Sequence, residues 1–99
     1  MKPAQFHPEA QAELDEAVAF YETSAPGLGI DLRKDIESAT RRIQETPARW
    51  SPFDKQTRRF LIRRFPYSVI YLELLDCIVI VAVAHHKRRP GYWHERVLS

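Results

Sequence analysis

A single cysteine, Cys77, stands in this chain of 99 residues, which excludes an internal disulfide framework and a cysteine-rich zinc site. Glycine is almost as scarce, at three, and they form no glycine-rich phosphate loop. The longest apolar run, Cys77 to Ala84, is too short to cross a bilayer. The opening MKPAQFHPEA lacks the apolar centre of a secretion signal. Together these absences predict a soluble cytoplasmic protein in a reducing compartment, with no membrane partner.

What is present suits one globular domain spanning residues 1–99: 44% hydrophobic, 28% charged and 11% aromatic residues. The net charge of +2 conceals an asymmetry. Residues 1–56 carry seven Lys or Arg against ten Asp or Glu (net −3), and residues 57–99 carry eight against three (net +5). An anionic partner for the C-terminal half and a merely solvated acidic N-terminal half are both consistent with this division.

Ala4 to Pro8 reads as a short edge strand running into a helix, with Pro8 suited to its first position. Ala10, Leu14, Ala17, Val18 and Tyr21 recur at helical spacing, with Glu9, Glu13, Asp15, Glu16 and Glu22 mostly opposite. Pro26, Gly27 and Gly29 mark a turn. A second helix then follows through Leu32, Ile36, Ala39 and Ile43 to about Glu45, closed by Pro47. After an irregular connector whose Trp50 and Phe53 should seal one end of the core, the period changes to two. RRFLIRRF, YSVIYLE and CIVIVAVAH read as three consecutive antiparallel strands, the last apolar at both parities and therefore central. The predicted fold is α+β, in the order β-α-α-β-β-β. A helical hairpin packs on a small, mainly antiparallel sheet, followed by a C-terminal tail or short helix.

Strand alternation puts Arg58, Phe60, Ile62 and Arg64 on one face and Arg59, Leu61, Arg63 and Phe65 on the other. Arg58, Arg59 and Arg63, with Lys87 further on, are candidate nucleic-acid contacts, because planar guanidinium donors suit phosphates. The same cations also suit an edge strand guarding against aggregation, or the carboxylates of an acidic partner.

The densest chemistry lies in AVAHHKRRPGYWHER, at the end of the last strand. His85 and His86 should point to opposite faces, and no Asp or Cys completes a ligand set, so neither a metal nor another cofactor is expected. Trp93 should pin the tail to the sheet. Metal-free ribonucleolysis needs a group to take the 2′-OH proton, one to protonate the leaving oxygen, and cations on the phosphate. His85, His86, Lys87 and Tyr92 suit the proton transfers, and Arg64, Arg88 or Arg89 the charge. Cys77, with no activating neighbour, reads as an inert thiol, and His7 as a residue at the helix start.

Four blocks, FHPEAQAELDEAVAFYE, IQETPARW, RRFLIRRFPYSVIY and VAVAHHKRRPGYWHER, resemble the RelE/ParE superfamily of type II toxin–antitoxin toxins, often called plasmid stabilisation proteins. The likeness extends over nearly the whole chain and is most specific in the last two blocks. It implies a compact single-domain toxin with a cognate antitoxin wrapped around it. Members similar to RelE are ribosome-dependent, metal-independent mRNA endonucleases, and members similar to ParE inhibit DNA gyrase. On the first pattern, Arg88 or Arg89 and Tyr92 match the C-terminal Arg and Tyr of the cleaving toxins. Ser68 stands where their middle-strand arginine lies, a departure that counts against cleavage unless Arg63 or Arg64 substitutes. The resemblance thus implies growth inhibition by mRNA cleavage, with Arg64, His86, Lys87, Arg88, Arg89 and Tyr92 as catalytic candidates. Gyrase inhibition, or a catalytically silent module acting with the antitoxin in promoter autoregulation, is the alternative.

Overall fold

Proline, histidine and a carboxylate set the boundaries of the helical hairpin. In the computed structural model, which describes residues 1–98, a three-residue strand, β1 (Ala4–Phe6), leads to helix α1 (Pro8–Ser24). Pro8 occupies the first turn, where its missing N–H costs nothing, and His7 Nδ1 accepts the Glu9 amide at 3.1 Å. Helix α2 (Leu28–Glu45) follows at once. Glu22, near the end of α1, accepts the amides of Gly27, Gly29 and Ile30 at 2.8, 3.0 and 3.4 Å. One side chain thereby satisfies orphan donors at the start of α2. Gly27 turns the chain with a φ of +88°. At Gly29 a Cβ would lie 2.3 Å from the Val18 carbonyl oxygen, so the two helices meet backbone to backbone.

Four further strands complete the sheet: β2 (Ser51–Pro52), β3 (Thr57–Leu61), β4 (Tyr67–Glu73) and β5 (Ile78–His85). Their order is β1-β5-β4-β3-β2, with β1 parallel to β5 and every other pair antiparallel. The edge position of β1 and the inner position of β5 agree with the sequence. A short helix, α3 (His94–Leu98), ends the described chain.

Three details depart from simple alternation. The connector contains β2, which pairs with Arg58 and Arg59. Strand β3 stops at Leu61, because Pro66 has no N–H for a ladder and the chain turns through Ile62–Pro66. Phe65 is thereby carried into the helix-side core instead of sharing a face with Arg59. A bulge then shifts β5 against β4: Ile70 faces Ala82 but Tyr71 faces Ile80, leaving Val81 extra. Ile78, Ile80 and Val83 consequently point towards the helices, whereas Val79, Val81, Ala82 and Ala84 lie on the other face.

Each face has its own apolar cover. Leu14, Leu32, Ile36 and Ile43 pack on Val69, Tyr71, Ile78 and Ile80. Trp93, 2% exposed, folds back over Ile70, Val81, Ala82 and Ala84, helped by Phe53, Tyr92 and Val97. Trp93 and Phe53 stack edge to face at 4.8 Å between centroids, as aromatics closing a small core do.

Candidate functional site

On the sheet face away from the helices, Arg59 and Leu61 of β3, Ser68 and Ile70 of β4, and Ala84 of β5 form the floor of a cleft of about 190 Å³. The turn after β5 and the returning tail supply its walls, His86, Arg88, Pro90 and Tyr92 among them. Ser68 is 3% exposed, and its hydroxyl lies 3.1 Å from His86 Nε2. Arg88 sits 4.0 Å above the Tyr92 ring, a cation–π contact that holds its guanidinium at the rim. Apolar walls with a few convergent polar groups and two arginines suit a small anionic or phosphate-bearing ligand.

The histidines diverge, as strand alternation requires. His85 packs edge-on against Tyr67 at 5.0 Å, and its Nδ1 accepts the Lys87 amide. His86 turns to Ser68 on the other face. Among the described residues, no group of three or more His, Cys, Asp or Glu side chains is placed to hold a metal ion.

Tyr92 is committed elsewhere. Its hydroxyl donates to Glu13 Oε2 at 2.5 Å, and burial together with that hydrogen bond pushes its pKa well above the ordinary tyrosine value. Glu13 also accepts Arg96 through both oxygens, at 2.9 and 3.1 Å, and the Val83 amide at 3.0 Å. Arg96 further donates to the Val81 carbonyl. One carboxylate on α1 thus ties β5, the tail and α3 together. The sequence placed Glu13 on the solvated side of α1 and singled out Arg96 for nothing. Their separation of 83 residues gives no periodic signal.

The other candidates scatter. Lys87 and Arg89 stand exposed on the turn after β5 and do not line the cleft. Arg64 lies beside α2, within 3.4 Å of both Asp31 and Asp35. Arg58 donates to the Trp50 carbonyl at 2.8 Å. Arg63 is exposed and reaches a different groove, shared with Arg59. The cleft therefore unites His86, Arg88, Tyr92 and Arg59, and leaves Arg64, Lys87 and Arg89 outside it.

Opposite the tail's exit, Asp54 closes the loop before β3. Burial acts to raise its pKa, but the amides of Thr57 and Gln56, the Thr57 hydroxyl and His94 hold it at about 2.

A family model described as the ParE toxin of the type II toxin–antitoxin system parDE matches residues 4–90. No curated protein matches the chain significantly. Among solved structures, a chain from the chromosomal ParDE toxin–antitoxin system of P. aeruginosa superposes with a TM-score of 0.75 at 18% identity. The match covers 86% of this chain and 96% of that one, which establishes a shared fold. The family match stops short of Tyr92 and Arg96.

Proposed function

The chain belongs to the ParE toxin family of type II toxin–antitoxin systems, and from that premise we propose that it arrests growth by binding and inhibiting DNA gyrase, not by cutting mRNA. The observation that carries this reading is the engagement of Tyr92 with Glu13. A tyrosine whose hydroxyl already donates to a carboxylate, and whose proton burial and that bond hold on the phenol, is poorly disposed to exchange protons with a phosphodiester. Ser68 in place of a middle-strand arginine, and Arg64 drawn off to Asp31 and Asp35, remove two further sources of charge for the crowded phosphate. The order of preference drawn from the sequence is therefore reversed. The partner in such a system is a cognate antitoxin.

Ribosome-dependent mRNA cleavage is the second reading, supported by the convergence of Arg59, His86 and Arg88 in one cleft. Both readings are tested by producing the chain with its antitoxin, releasing it, and assaying gyrase supercoiling and mRNA integrity on translating ribosomes. Inhibited supercoiling with intact mRNA is the expected outcome. Codon-positioned cuts in ribosome-bound mRNA with unimpaired gyrase would overturn it.

A further inference from the structure

A second basic feature adjoins the cleft and shares Arg59 with it. Between α2 and the β2–β3 edge runs an open groove of about 560 Å³, lined by Arg42, Arg49, Arg59, Arg63 and Arg64 against the single carboxylate of Asp35. Asp35 is paired with Arg64. Among the described residues, Arg42, Arg49, Arg59 and Arg63 make no ion pair with any carboxylate, although Arg33, Arg64 and Arg96 all do. Four exposed guanidinium groups thus share one groove without an internal counter-charge. Such an arrangement is repulsive in the free protein and is relieved by an external polyanion.

Aromatic rings hold three of the four in place. Arg42 lies 5.1 Å from the centroid of Trp50 and 5.4 Å from that of Phe60. Arg49 lies 4.9 Å from Trp50, and Arg59 5.5 Å from Phe53. A guanidinium lying on a ring keeps its N–H edge available for phosphate oxygens. The same contacts decide what kind of polyanion fits. Trp50 carries two guanidinium groups and packs against Phe60, and Phe53 is engaged by Trp93 and Arg59. Neither ring is left as a platform for an unstacked base, so single-strand recognition lacks its usual element. We propose that this groove binds the phosphate backbone of double-stranded DNA.

The choice of DNA as the duplex rests on the gyrase reading, since gyrase holds duplex DNA; the groove's affinity for a duplex backbone rests on the arginines alone. Binding is independent of sequence, because nothing in the groove is aimed at base edges.

The test is fluorescence anisotropy of a labelled DNA duplex titrated with the purified chain at several salt concentrations, without gyrase. Four released counterions predict a slope of log K against log salt of about −3.6. The R49Q/R63Q variant should bind at least tenfold more weakly and flatten the slope by about two. R49K/R63K should retain most of the slope, and Arg33→Gln, outside the groove, should change nothing. Circular dichroism of each variant separates lost binding from lost fold. Absence of duplex binding, or R49Q/R63Q binding as tightly as the parent, would overturn the proposal. So would preference for a single strand, or displacement of the duplex by polyglutamate of equal charge, which marks an acidic protein as the occupant. Gyrase inhibition is read separately: if it fails while duplex binding holds, the gyrase reading falls and the groove stands, and the converse removes the groove alone.

Discussion

Glu13 and Arg96 meet across 83 residues of chain in a forked pair, with Oε1 2.9 Å from Nη1 and Oε2 3.1 Å from Nη2. The Arg96 side chain is only 9% exposed and that of Glu13 only 16%. Removing the Glu13 charge takes the forked partner from a buried guanidinium, which keeps the more distant Glu9 carboxylate at 3.4 Å. Glu13→Gln should therefore cost about 2 kcal/mol in a urea titration, less than a buried charge left with no partner, because Glu9 remains. A loss below about 1 kcal/mol, typical of an exposed pair, would show that the tail is held by Trp93 and Val97 alone.

Tyr92→Phe separates structure from catalysis. It removes one hydrogen bond from Glu13, which keeps Arg96 and the Val83 amide, so stability should fall by about 1–2 kcal/mol. Gyrase inhibition should survive unchanged. If growth arrest disappears while the variant remains folded, the hydroxyl has a chemical role and the mRNA-cleaving reading regains first place.

Gly29→Ala should destabilise the hairpin by about 1–3 kcal/mol, since the added methyl collides with the Val18 carbonyl and Glu22 and the helices must separate. Thermal melts of the variant beside the parent decide this. An unchanged midpoint would mean that α1 and α2 slide apart without penalty.

Asp54 predicts a specific acid sensitivity. Its pKa lies below the ordinary 3.8, at about 2, so the folded state favours the charged form. The stabilisation is fully present above pH 3.8 and is lost as the pH falls through about 2. The side chain is 33% exposed, and solvent screening limits the effect to about 1 kcal/mol. Denaturant titrations of Asp54→Asn and the parent should differ at pH 6 and converge near pH 2. A constant difference across that range would assign the loop's stability to other contacts.

The helices and the three long strands were legible because their signals are local, whereas the parallel pairing of β1 with β5 and the short β2 were not. Ala10, Leu14 and Ala17 repeat on one side of α1, Pro8 and Pro47 mark helix ends, and Cys77 to Ala84 announces an inner strand. The resemblance, carried mainly by the third and fourth blocks, agreed with the fold. The bulge at Val81 was invisible, because an apolar run offers no alternation to interrupt. The site was less readable than the fold. Composition grouped Arg64, Lys87 and Arg89 with His86, Arg88 and Tyr92, but the turn at Pro66 carries Arg64 to α2 and the turn after β5 leaves Lys87 and Arg89 in solvent. Glu13 was misplaced for a related reason. A helical wheel separates polar from apolar positions, and cannot show that a polar side chain will meet an arginine near the other end of the chain.

Strand β1 opens the described fold and finds its partner in the last strand. Ala4, Gln5 and Phe6 pair with Ile78, Val79 and Ile80, each 74 residues further along the chain. Leu14, Ile36 and Ile43 complete their packing only on a sheet that includes Ile78 and Ile80, and Glu13 finds its arginine 83 residues along the chain. The long loop that must close before these contacts form makes the fold one of non-local pairings, which slows its assembly. A chain without β5 cannot assemble this sheet, because β1 and β4 both pair with it.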